Sequence, residues 1–298
     1  MDSILVGTAS WTDPTLIESG WYPEGAKGAE GRLRYYASQF PVVEVDSSFY
    51  ALPNPRNATL WAERTPDDFV FDIKAYRLFT GHPTPLSALP PDVREALGTV
   101  AKERVYGADV PRELTEELWR RFTLALRPLD AAGKLGTILL QFPPWYVYRP
   151  SNLEHILHCV AELAPYAAAV EFRHRSWFDD RHRESVLAFL REQGLVHVVV
   201  DEPQAGAASV PQVWEVTSSA GAIFRLHGRN VEAWLAKGAR SAADRFDYRY
   251  NEAELREFIG PVRALAQRAR RVHVLFNNCH GDDGVRNAFQ FRELLASD

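Results

Sequence analysis

The sequence predicts a single closed (β/α)8 barrel, and three observations carry that expectation. Eight apolar strand-like runs alternate with amphipathic helical segments, the pattern of a parallel sheet with helical crossovers. The runs are continuous rather than alternating, as in strands covered on both faces. The first run, ILVGTAS, leads into GTASWTDP and not into the glycine-rich GxGxxG turn that a doubly wound open sheet usually carries there. No linker or low-complexity stretch divides the 298 residues, so residues 1–298 read as one domain.

The elements follow in order. ILVGTAS is the first strand, followed by a loop with Trp11, Trp21 and Tyr22 and a helix around GRLRYYASQF. VVEVDS is the second, then a turn from Phe49 to Pro55 and a helix through NATLWAER. FVFDIKA is the third. The connection from Tyr76 to about Arg112 is longer than a usual βα loop and is broken by Pro83, Pro85, Pro90, Pro91 and Pro111, with a short helix expected after Pro91. The helix PRELTEELWRRFTLAL is expected to stop before Pro128. GTILLQFP with SNLEHILHCVAELAP, then AAAVEFR with RHRESVLAFLREQG, make the fourth and fifth units. VHVVVDE is the sixth strand, and a short extra strand is expected at VWEVT before AIFRLHG, the seventh. NEAELREFIGPVRALAQRA is a helix, RVHVLFNN the eighth strand, and GVRNAFQFRELLAS the last helix.

Composition narrows the function classes. A formal net charge of −5 gives no global attraction to nucleic acid or an anionic membrane, so such binding would need a local basic patch. The 2 cysteines, Cys159 and Cys279, form no CxxC, which excludes a cysteine-based metal centre and a disulfide framework. No apolar run approaches the roughly 18 residues of a membrane span, and the first residues carry no basic, cleavable leader. A cytoplasmic protein without membrane attachment is the expectation. No signal bears on oligomeric state.

The strands end in charged and amide residues. Lys74, Gln141, Glu171 with Arg173, Asp201, Arg225 with His227, and Asn277 with Asn278 all stand at C-terminal ends of runs. Burying such groups unpaired costs several kcal/mol, so they belong where strands open into a polar site, and in a barrel that is the C-terminal rim. Residues two apart share a strand face, which pairs Glu44 with Asp46, Asp72 with Lys74, Glu171 with Arg173 and Arg225 with His227. Ion pairs such as Glu171–Arg225 or Glu44–Lys74 would instead fill the interior. Lys74 suits an anion or, if desolvated, a Schiff base. Glu171 and Asp201, on adjacent strands, are the carboxylate equipment of glycoside hydrolysis. Arg225, His227 and Arg229 form a cationic cluster; with the helix opening near Gly284 and Asn287, phosphate is expected between His227, Arg229 and that helix. No HxH or HExxH occurs, and neither metal nor other cofactor is expected, although His82, His174 and His280 stand in loops on the correct side. Cys279 reads as a free thiol rather than a nucleophile.

At these residues the sequence resembles the domain of unknown function 72 (DUF72, YecE-like) family. The stretches VGTASW, GWYP, LRYYASQFPVVEVDSSFYALP, FVFDIKAYR, LLQFPPWY, AVEFRHRSWF, FRLHGR, YRYNEAEL and VLFNNCHGDDGVRNAFQFRELL, with the Asp201–Glu202–Pro203 turn, carry the likeness over most of the chain. The resemblance implies a TIM-like barrel. By motif it points to Glu44, Ser47, Phe49, Tyr50, Lys74, Gln141, Glu171, Arg173, Asp201, His227, Gly228, Arg229, Asn277, Asn278 and Asn287. KAYRLFTGHPTP fits the family less closely. The functional expectation is an enzyme acting on a small anionic or sugar-like substrate, with Lys74, Arg225 and Arg229 holding negative charge and Glu171 or His227 moving a proton. A nucleic-acid-binding barrel, with or without phosphodiester cleavage, and a non-catalytic scaffold are the alternatives.

Overall fold

A computed structural model describes residues 3–98, 102–236 and 245–297. Eight parallel strands close in chain order: β1 (Ile4–Thr8), β2 (Val42–Val45), β3 (Val70–Lys74), β4 (Leu135–Gln141), β5 (Ala168–Glu171), β6 (Val196–Asp201), β7 (Ala222–Leu226) and β8 (Val272–Phe276). The seam between β8 and β1 runs in register from Ile4 opposite Val272 to Thr8 opposite Phe276. The expected (β/α)8 barrel is therefore the fold. Its strands are mainly apolar because both faces are covered, one by helices and one by the lumen.

Side chains fill the lumen in layers. Near the N-terminal end, Asp72 accepts hydrogen bonds from the Thr137 amide (2.8 Å) and hydroxyl (3.0 Å), and His273 Nδ1 lies 2.7 Å from its other oxygen. A Cβ at Gly136 would strike the Asp72 carboxylate, so this plug requires glycine there. One layer up lie Glu44, Glu171 and Arg225. The helix Ala29–Gln39 is locked to the strands by Tyr36, whose hydroxyl accepts from the Thr8 amide at 2.8 Å and contacts the Val42 carbonyl at 3.1 Å.

Three local expectations need correction. The helix after the long connection runs Arg112–Ala131, straight through Pro128. That proline withholds only the bond to the carbonyl of Leu124, a residue on the exposed side, while Ala125, Leu126 and Leu129 are buried and hold the last turn by packing. VWEVT is not a strand. Its contacts run through side chains instead: the His197 amide donates to Thr217 Oγ1 (2.8 Å), that hydroxyl donates to the Leu195 carbonyl (2.6 Å), and the Val213 carbonyl lies 3.0 Å from His197 Nε2. The segment after β2 begins with a helical turn, Ser47–Tyr50, before reaching Pro55. In the long connection, Thr84–Pro85 pairs antiparallel with Arg104–Val105, and Pro91–Leu97 is the expected short helix. Phe79 anchors this connection by stacking on Trp119 at 3.6 Å. No helix among the described residues is long and apolar enough to cross a membrane.

Candidate functional site

Arg225 is the hub of the upper lumen. It is 0% exposed; Nη2 lies 2.7 Å from Glu44 Oε1, Nη1 lies 2.5 Å from Glu171 Oε2, and Gln141 Oε1 stands at 3.4 Å. Both glutamates are fully buried too. A lone buried guanidinium would cost several kcal/mol, and two carboxylates offset that cost. Glu171 also binds Arg173 through Nε, and Arg173 reaches Glu202 at 3.2 Å. Burial alone would raise the Glu171 pKa, but Arg173, Arg225 and then His227 hold it well below the usual carboxylate range.

His227 extends the network. Arg173 Nη2 donates to its Nε2 at 3.0 Å, and its Nδ1 lies 2.8 Å from the Asn277 amide. Burial, then Arg173, push its pKa down to about 3, so the ring is neutral. Arg173 Nη2 and the Asn277 amide nitrogen thus hold the two ring nitrogens from opposite sides, with Glu171 Oε1 3.4 Å from Nε2. Glu202 accepts from the Val210 amide at 2.8 Å, and burial, against Arg173, lifts its pKa to about 7.

The opposite wall comes from β1 to β3. Lys74 Nζ lies 2.9 Å from Asp46 Oδ1 and 4.8 Å above the Phe49 ring. The expected Glu44–Lys74 pair is thus replaced by Asp46–Lys74, and Glu44 belongs to Arg225. Burial, against the pull of Arg225, raises the Glu44 pKa to about 8. For Asp46, burial is outweighed by Lys74 and Arg225, with a further hydrogen bond from Glu44, and its pKa is lowered. Asp13, in the loop after β1, is lifted to about 7 by burial and by Asp46. One wall therefore holds an ionised carboxylate between two that keep their protons near neutrality.

Aromatic rings flank this floor. On one side Tyr50, Phe49, His82 and Trp145 form a row with successive centroids 5.2, 4.9 and 6.0 Å apart, and Tyr50 and Trp145 are exposed. Desolvation and then Lys74 keep His82 neutral, with a pKa of about 3. On the other side Phe246 lies 5.6 Å from the His227 ring and 6.2 Å from Trp234, and Trp234 carries Arg173 over its face at 5.3 Å.

Glu44, Lys74, Gln141, Glu171, Arg173, Arg225, His227 and Asn277 thus meet at the C-terminal end of the barrel, with Tyr50 on its rim. The remaining predicted residues serve another purpose. Asp201 accepts from the Tyr250 hydroxyl (2.6 Å), Gln212 Nε2 (2.5 Å) and Arg229 Nε (3.1 Å). Arg229 also lies 3.0 Å from Glu257 and 3.5 Å from Glu254. This clamp ties the helix Glu252–Ala266 to the ends of β6 and β7. Asn287 accepts from the Tyr250 amide (3.0 Å) and Asn278 Nδ2 (2.9 Å) and donates to the Tyr250 carbonyl (2.8 Å). Where the phosphate cradle is expected, at His227, Arg229 and the last helix, three carboxylates hold Arg229, and Asn287 is bonded to the Tyr250 backbone and to Asn278. Of the Glu171–Asp201 pair, both carboxylates are buried, Glu171 bonded to Arg225 and Asp201 to Tyr250. Gly228 has φ +85°, and a Cβ there would sit 2.5 Å from Tyr248 Cβ, so the turn after β7 demands glycine.

Asp13 and Asp46 lie outside the residues that the sequence marks as reactive. The i, i+2 spacing of Glu44 and Asp46 was the available signal for one of them; nothing in the sequence pointed to Asp13. Burial pushes the Cys279 thiol up, consistent with an inert residue. One trio among the described residues, Asp247, His280 and Asp283, has ligand atoms within 4.8 Å of one another, but Arg249 already binds Asp283.

Comparison with known proteins agrees with this architecture. The chain is 34% identical over 294 residues to UPF0759 protein YunF of Bacillus subtilis, covering 98% of this chain and 94% of that one. It superposes on a DUF72 family protein of Enterococcus faecalis with a TM-score of 0.79 at 28% identity, covering 99% of this chain and 96% of the other. A DUF72 family protein of Thermotoga maritima gives 0.76 at 30% identity, with 99% of each chain covered. The model of the family described as "Protein of unknown function DUF72" matches residues 5–298, and the chain belongs to that family.

Proposed function

We propose that the protein is an enzyme that performs acid–base chemistry on a small sugar-like substrate bearing an anionic group, bound at the C-terminal mouth of the barrel. One arrangement carries this reading: on a single wall, Asp46 lies 2.9 Å from Lys74, which lowers its pKa, while burial lifts its neighbours Glu44 and Asp13 to about 8 and 7. Neighbouring carboxyls whose environments drive their pKa values apart are the equipment of paired acid and base roles. Asp46 is only half-buried and is the base; Asp13, with a pKa of about 7, is the acid. Lys74 stabilises negative charge developing on substrate oxygen. Glu44, fully buried, positions Asp46 and does not touch substrate. Glu171 and His227 likewise orient Arg173. The two aromatic flanks offer faces to a sugar ring.

A nucleic-acid reading is weaker, because Lys74, Arg173, Arg225 and Arg229 are each paired with carboxylates and the net charge is −5. The test is a thermal-shift screen of sugars, sugar acids and sugar phosphates, followed by turnover assays of wild type and Asp46→Asn on each stabilising compound. Turnover lost in a folded Asp46→Asn supports the reading. Undiminished turnover in that variant, or no stabilising sugar compound, defeats it.

A further inference from the structure

The cations at the mouth are not alike. Lys74, Arg173, Arg225 and Arg229 each face a carboxylate. Arg77, three residues past β3, faces none among the described residues. Its guanidinium carbon lies 5.3 Å from the Phe49 centroid, on the same ring that Lys74 approaches at 4.8 Å. Its Nε is shut away from solvent without an acceptor, as is that of Arg225, but Arg225 has two carboxylates on its other nitrogens and Arg77 has none among the described residues. A buried donor of this kind normally has a partner. The titratable groups that reach Arg77 are Tyr50, Arg104 and Tyr76, with no carboxylate among them. Arg104, in the ribbon opposite Pro85, is exposed and makes no side-chain bond among the described residues. The ribbon that carries Arg104 packs back on the segment after β3, where a Cβ at Gly107 would lie 3.5 Å from the Leu78 carbonyl, and Arg104 is the charged group that acts on Arg77; an anion relieves such a like-charge pair.

We propose that Arg77 and Arg104 form a phosphate-binding subsite at the rim of the mouth, beside Phe49 and Tyr50. It holds the phosphate of a phosphorylated substrate whose reacting atoms lie at Asp46 and Lys74. The shared ring of Phe49 keeps the Arg77 and Lys74 cations within about 10 Å of each other, a reach that suits a phosphorylated sugar. Both arginines belong to the long connection after β3, and Phe79 stacked on Trp119 holds that connection rigid beside Arg77. The substrate's other end rests on the acid–base reading above; the subsite does not.

Inorganic phosphate is the probe, titrated by calorimetry at constant ionic strength into wild type, Arg77→Gln and Arg104→Ala. Saturable binding is expected in wild type, weakened roughly tenfold or more by Arg77→Gln and several-fold by Arg104→Ala. Arg104 is exposed, so its variant carries the test alone should Arg77→Gln fail to fold. Absence of saturable binding in wild type, or equal affinity in the variants, overturns the subsite even if neutral sugars are turned over. Phosphate binding that both variants weaken, with no sugar phosphate bound tighter than phosphate itself, leaves the subsite standing and removes the acid–base reading.

Discussion

Arg225 reaches Glu171 at 2.5 Å and Glu44 at 2.7 Å, and none of the three side chains is exposed to solvent. A cation clamped between two carboxylates in this way binds opposite walls of the barrel together, since Glu44 stands on β2 and Glu171 on β5. Its removal is therefore a question of stability before it is one of chemistry. Glu171→Gln leaves Arg173 and Arg225 short of one charge and is expected to destabilise the protein by about 3–5 kcal/mol. Urea denaturation of the two proteins measures it; a change below about 1 kcal/mol would show that the network is not structural.

Asp46→Asn should act on both stability and turnover. Asp46 is half-buried and bonds chiefly to Lys74, which is itself buried, so a stability loss of about 1–3 kcal/mol is expected. Turnover of any substrate found by screening should fall by about 10²–10⁴-fold, the usual loss for a removed general base. Side-by-side kcat and denaturation measurements separate the two effects.

Stability should depend on pH in two windows. Glu44, Asp13 and Glu202 have folded pKa values raised to about 8, 7 and 7. Their protonated forms favour the native state, a contribution complete below their unfolded pKa values and lost as pH rises through 7 to 8. His227, His82 and His197 are depressed to about 3, 3 and 4. The native state holds them neutral, so their contribution is present above the unfolded histidine pKa and lost as pH falls from about 6.5 towards 3. The two trends offset each other between the unfolded carboxyl and histidine pKa values, so unfolding free energy is expected to be highest on a plateau between about pH 4.5 and 6.5 and to fall above it. Glu44→Gln, which fixes the neutral form, should flatten the alkaline limb in a pH series of urea titrations; an unchanged limb would remove Glu44 from the account.

Arg229→Ala tests the clamp. It breaks bonds to Asp201, Glu254 and Glu257 while leaving Tyr250 and Gln212 on Asp201. A loss of about 1–3 kcal/mol is expected, with phosphate affinity unchanged. A weakened phosphate titration would instead place the anion at Arg229, as the sequence expectation has it.

The barrel was legible because each strand is an apolar run buried on two faces and each helix carries its own periodicity; both are local properties of the chain. The polar strand ends were legible too, since a charge closing such a run has few places to go. Which charges pair was decided only in three dimensions. Glu44 lies 181 positions before Arg225, and closure of the barrel, with its stagger, gave it Arg225 and left Lys74 to Asp46. The same folding turned Arg229 towards three carboxylates and left Arg77 with none. Sequence determined that a ring of charge would gather at one end of a barrel; tertiary structure alone chose the partners, because partnership depends on a distance of a few ångströms between residues that the chain holds far apart.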